Sequence, residues 1–162
     1  MNDEKTTRLD RMRYTKNTLS SNLALLAILF DVFFFISIYE SDVGNYYYSI
    51  LVGASILYNL VFLLAAFLCS EGVKNYKIGY SYLMIVLGAI QLLRIFIYPV
   101  QAHAATVMVQ DLPVSVMSDG QFIRLVLYLV LSAACLFAGA IVGISRSRAL
   151  SAHLATLDSK AA

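Results

Sequence analysis

Tryptophan is absent from this chain of 162 residues, cysteine and proline occur twice each, and charged residues make up only 14%. Each scarcity excludes something. Two cysteines cannot frame a disulfide scaffold. Twelve basic against ten acidic residues leave a formal net charge of +2, which gives no footprint for nucleic acid. The low charge goes with 60% hydrophobic residues and a mean hydropathy of +0.74, and together these exclude an ordinary soluble domain. A chain this small has too much surface for its core to hide so many apolar side chains from water. Disorder is excluded for the opposite reason, because a disordered segment lacks apolar surface to bury. The GxxxxGK[ST], HExxH, GxSxG and CxxC signatures are also missing, so no common catalytic motif speaks for an enzyme. What remains is an all-α polytopic membrane protein.

A transmembrane helix needs about 20 predominantly apolar residues to cross roughly 30 Å of hydrocarbon. Four segments qualify: 21–39, 46–69, 78–98 and 122–144. None shows the apolar–polar alternation of a membrane barrel strand. The expected architecture is a four-transmembrane-helix bundle over 21–144, with a basic tail at 1–20, an outer loop at 99–121 and a second tail at 145–162. The first span is too long for the apolar core of a cleaved signal, and Tyr39-Glu40-Ser41-Asp42 is no small-residue cleavage site, so it reads as a retained anchor.

Orientation follows from Lys and Arg. The N-terminal tail carries Lys5, Arg8, Arg11, Arg13 and Lys16. The second loop carries Lys74 and Lys77, and the C-terminal tail carries Arg146, Arg148 and Lys160. All of these fall on one side of a four-span chain. The loops on the other side hold Glu40, Asp42, Asp111 and Asp119, with no Lys or Arg. Both termini are therefore expected in the cytoplasm, in a bacterial cytoplasmic membrane. Tyr39, Tyr46, Tyr47 and Tyr48 suit the outer aromatic belt, and Tyr76, Tyr80 and Tyr82 the inner one. The outer loop is itself rather apolar. A short interfacial helix, a fold back over the bundle, or a partner contact would each keep it from water.

An ionisable residue inside a span costs roughly 2.5–3.5 kcal/mol on insertion scales, so each calls for a partner, a wet cavity or a function. There are three: Asp31, Arg94 and Arg124. Asn59 and Gln91 add uncharged polar groups. Helical spacing puts Ala24, Ala27, Asp31 and Phe35 on one stripe of the first span, and Ser55, Asn59 and Ala66 on one stripe of the second. The third gives Gly88, Gln91, Arg94 and Tyr98. The fourth gives Arg124, Tyr128, Ser132, Cys135, Gly139 and Gly143. Each helix thus offers one small and polar face to an inward lining.

The intramembrane candidates are Asp31, Arg94, Asn59, Gln91 and Arg124, and the packing face of the fourth span is Ser132, Cys135, Gly139 and Gly143. Asn59, Gln91 and Ser132 read as interhelical glue before a transport path. The GxxxG of Gly139 and Gly143 marks either a close crossing within the chain or a dimer face. Arg124, near the outer boundary, can snorkel to the headgroups, whereas the short side chain of Asp31 cannot. Counted from the span starts, Asp31 stands about 15 Å and Arg94 about 24 Å along their helices. Arg94 then either reaches down to Asp31 or turns up to Glu40 and Asp42, and in the second case Asp31 stays protonated. Cys69 and Cys135 lie at different depths, which makes a bridge between them implausible. His103 and His153 fall on opposite sides and cannot share a metal. No cofactor or metal is expected.

The function expected first is a non-enzymatic accessory or assembly subunit of a membrane complex, with the lipid bilayer as its surroundings and a second membrane subunit or a further copy of itself as partner. The alternative is a small oligomeric transporter or channel that uses Asp31 as a proton- or cation-binding carboxylate. A third class, an enzyme acting on lipid, has only Glu40, Asp42, Asp111, Asp119 and His103 to draw on outside the membrane.

Overall fold

The computed structural model describes residues 2–38, 46–109 and 112–161. It is 87% helical, with α1 (Asn2–Met12), α2 (Thr18–Ile38), α3 (Tyr46–Lys74), α4 (Ile78–Ile97), α5 (Pro99–Ala104) and α6 (Asp119–Ala161). A hairpin of β1 (Thr106–Val109) and β2 (Leu112–Ser115) interrupts the order between α5 and α6, paired antiparallel with Thr106 opposite Ser115. Four of the helices, α2, α3, α4 and α6, are long and apolar enough to cross a membrane. They form an all-α four-helix bundle, as a hydrophobic run without alternation requires when no water is present to satisfy backbone groups. The outward faces fit a lipid surrounding: Leu57, Leu60, Val61, Leu64, Phe67 and Leu68 all lie exposed along α3. In water such a stripe would be an aggregation surface. Against lipid it is neutral.

Helix α6 packs on both α2 and α4, α2 also packs on α3, and α3 closes the ring against α4 through its sparsest contact. The turn from α3 to α4 is short. The Lys77 N–H reaches Gly72 O at 3.1 Å and the Tyr76 N–H reaches Val73 O at 3.1 Å, the paired bonds that close a helix when the intervening residue turns left-handed. That residue is Tyr76, with φ of 57°, where glycine would be the inexpensive choice. At the same end, the Asn17 N–H bonds Lys74 O at 2.9 Å, which ties the start of α2 to the end of α3.

Two apolar cores fill the bundle. One, toward the end that carries both termini, contains Ala24, Ala27, Ile28, Phe62, Ala66, Cys69, Met84, Leu87, Leu136 and Ala140. The other, toward the α5 end, contains Phe34, Ile38, Tyr98, Ala102, Met117, Leu125 and Leu129. The 99–121 segment therefore does not float. Pro99, Ala102, Val116 and Met117 are buried, while Met108 and Val114 at the hairpin stay exposed. The tails are not plain coil either. Most of the N-terminal tail is α1, and α6 runs on to Ala161, where His153 Nε2 meets Asp10 Oδ1 at 2.7 Å. Both ends of the chain thus meet at one end of the bundle.

Candidate functional site

Along each long helix, the sequence passes from one core to the other through a polar residue. On α2, Asp31 lies between Ile28 and Phe34. On α4, Gln91 and Arg94 lie between Leu87 and Tyr98. On α6, Ser132 lies between Leu129 and Leu136, and on α3, Ser55 and Asn59 lie between Val52 and Phe62. These residues converge into one buried layer. The Arg94 Nη1 donates to Asp31 Oδ1 at 3.0 Å, with side-chain exposures of 5% and 0%. Gln91 Nε2 donates to the same oxygen at 2.9 Å and lies 3.3 Å from Ser132 Oγ, which in turn donates to Ala27 O at 3.0 Å. Arg94 Nη2 donates to Ser55 Oγ at 3.0 Å and faces Ser55 O at 3.4 Å. All four long helices are thereby joined.

The guanidinium is also sandwiched between rings. Its central carbon stands 4.2 Å from the Phe34 centroid and 4.5 Å from that of Tyr58. Aromatic faces carry partial negative charge, so the stack stabilises a cation that has lost its water. Neither ring belongs to the polar candidates read from the sequence. Their positions were nonetheless available, because Phe34 follows Asp31 and Tyr58 follows Ser55 by three residues, on nearly the same helix face.

The expected height gap between Asp31 and Arg94 is smaller than counting from residue 21 suggests. Helix α2 begins at Thr18, three residues earlier, which brings the gap down to about 4–5 Å at 1.5 Å per residue. An arginine stem covers that distance. Glu40, Asp42 and Asp111 lie outside the described residues.

The remaining candidates separate. Asn59 is buried beside the layer, but neither of its side-chain polar atoms has a hydrogen-bond partner among the described residues, and the same holds for Asp31 Oδ2, Gln91 Oε1 and Tyr58 Oη. Arg124 is exposed in the first turns of α6, outside the buried layer. Leu125 and Leu129 take the inward positions there instead, because the stripe from Arg124 through Tyr128 lies off the inner face of α6. Cys135 is half-buried against the first core and Cys69 is fully buried, both as free thiols. Gly139 and Gly143 face into the chain's own bundle. A Cβ on Gly139 would stand 2.6 Å from Met84 Cε and 3.2 Å from Leu23 Cβ, and one on Gly143 would strike Ser81 Oγ. The Ser20 hydroxyl donates to Gly139 O at 2.6 Å in the same crossing.

Further polar contacts escaped the sequence reading. Ser21 and Ser70 share a hydrogen bond of 2.7 Å between α2 and α3, and Gln121 Nε2 donates to Ser37 O at 2.9 Å across the opposite end. Serines in apolar helices are common enough that spacing alone does not single these out. His103 Nε2 meets Asp119 Oδ1 at 2.9 Å on the surface.

A groove of about 310 Å³ runs between α3 and α4, where the helices touch least, lined by apolar side chains such as Leu51, Ala54, Ile90 and Leu93 and reaching Tyr58 and Arg94. Compared with known protein families, with characterised proteins and with solved structures, the chain finds no match.

Proposed function

We propose that this chain is a non-enzymatic accessory or assembly subunit of a membrane complex, and that its intramembrane polar residues form a clamp that holds its own helices. The Asp31–Arg94 ion pair, braced from all four long helices, carries this reading. A carboxylate that binds and releases a proton or cation in each cycle must be free to exchange its partner. Here Arg94 is held by Ser55 and by two rings in addition to Asp31. The Lys and Arg distribution supports an orientation with both termini in the cytoplasm, and the expected setting is a bacterial cytoplasmic membrane.

One observation favours transport by an oligomer instead. Asp31 Oδ2, Gln91 Oε1 and both polar atoms of Asn59 are buried together without partners among the described residues, as a proton or cation path would need. Two measurements on the intact chain separate the readings. Extraction in mild detergent, followed by native mass spectrometry, should show a second membrane subunit at fixed stoichiometry. Proteoliposomes holding the chain alone should show no proton or monovalent-cation flux above the empty-liposome rate. A closed homo-oligomer whose flux is abolished by Asp31→Asn would replace the accessory reading with the transport one.

A further inference from the structure

A second cavity, of about 250 Å³, opens at the end of the bundle that carries both termini. Arg11, Met12, Thr15, Lys16, Tyr76 and Arg146 line it, three cations with no carboxylate among them. No carboxylate lines the cavity itself: Asp10 pairs with His153, and Glu71 pairs with Lys74 at 2.9 Å while its charge also acts on Lys16 from outside the lining. Arg146 is fixed at the rim by a 2.9 Å bond from Nη1 to Oδ1 of the buried Asn17, which leaves further guanidinium donors to point elsewhere. Among the described residues, neither Arg11 nor Lys16 makes a salt bridge. Three like charges around one concavity repel each other, and an anion bound among them offsets that.

Depth says which anion. Lys16 stands two residues before α2 begins and seven before its apolar run at Leu23, and Tyr76 lies just past the end of α3. Arg146 follows the apolar Ile141–Ile144 stretch of α6 with only Ser145 between. The cavity therefore sits at the level where hydrocarbon gives way to headgroups. Tyr76 holds its left-handed backbone at this cavity, placing a ring and hydroxyl where a glycine would leave a gap. We propose that the cavity binds the phosphate of an anionic phospholipid headgroup. The guanidinium of Arg11 and the ammonium of Lys16 supply the charge, Arg146 a fixed donor and Tyr76 a neutral hydroxyl, while the Thr15 hydroxyl already donates to Arg11 O at 3.1 Å.

Melting of the purified full chain in neutral detergent tests this with three additives: short-chain phosphatidylglycerol, phosphatidylcholine of the same chain length, and inorganic phosphate. Phosphatidylglycerol should raise the midpoint in a saturable way, and the other two should leave it nearly unchanged. Arg11→Gln with Lys16→Gln should require roughly tenfold or more lipid for the same shift, since each surface cation contributes on the order of one factor of five. Arg13→Gln with Lys77→Gln removes the same charge from exposed positions outside the cavity and should behave as wild type. Lys16→Gln alone should move in the same direction as the pair, so a folding defect in the double variant does not hide the result. Equal protection by phosphatidylcholine would overturn the proposal, as would an equal loss in the Arg13 and Lys77 variant. Protection by inorganic phosphate at matched concentration would assign the cavity to a soluble anion and overturn the lipid as its ligand.

Discussion

The carboxylate of Asp31 and the guanidinium of Arg94 meet at 3.0 Å at the boundary between two apolar cores, both side chains buried. The position fixes register as well as stability. Sliding α4 by one turn, about 5.4 Å, in the direction that widens the gap would carry Arg94 out of reach of Asp31 and leave both charges buried and unpaired. Sliding is thus opposed by the layer even where the apolar cores above and below would tolerate it.

The neutral members of the layer should matter far less than the charged ones. Ser132 links Ala27 O to Gln91, and hydrogen bonds of this type between membrane helices are worth about 0.6 kcal/mol on average. Ser132→Ala should therefore lower the detergent melting midpoint only slightly, and clearly less than Asp31→Asn. Equal losses would mean that the ion pair contributes no more than one hydroxyl.

Close approach at the α6 crossing makes a second prediction. Gly143 abuts Ser81 and Ser20, while Gly53 on α3 has open space around it. Gly143→Leu should destabilise by about 1–3 kcal/mol through overpacking. Gly53→Ala should be neutral or mildly stabilising, because alanine suits a helix better. Melting curves of the two variants check this, and size-exclusion chromatography should show no change of oligomeric state in Gly143→Leu.

Orientation is checked by labelling intact cells with an impermeant thiol reagent. Ser115 on the hairpin and Ala152 on the α6 extension are both exposed, at opposite ends of the bundle. A cysteine at Ser115 should react from outside and one at Ala152 should react only after permeabilisation. The reverse pattern would place the basic end outside.

The four long helices were legible because length and apolarity leave little choice in a chain with so few charges. The inward faces of α2, α3 and α4 were legible for the same reason, since a polar residue in lipid must turn toward the bundle, and Asp31, Ser55, Asn59, Gln91 and Arg94 all do. On α6, Ser132, Gly139 and Gly143 are buried and Cys135 is half-buried, whereas Arg124 is exposed. Arg124 sits near the end of the membrane region, where a long side chain can reach polar surroundings and so need not face inward. The hairpin at Thr106–Ser115 gave no warning, because its strands are four residues each and a period of two cannot be distinguished over so short a run. The aromatic sandwich around Arg94 needed the relative rotation of three helices, which one sequence does not contain.

The most direct measurement is a double-mutant cycle on the clamp: detergent melting of wild type, Asp31→Asn, Arg94→Gln and the variant with both. Each single change leaves a buried charge or polar group without its partner, and loss of one member of such a pair costs on the order of 3–5 kcal/mol. The clamp predicts large drops for both single variants and partial recovery in the double one, because two neutral amides can hydrogen-bond each other in the same layer. Wild-type melting of Asp31→Asn, with a double variant no better than Arg94→Gln alone, would contradict it.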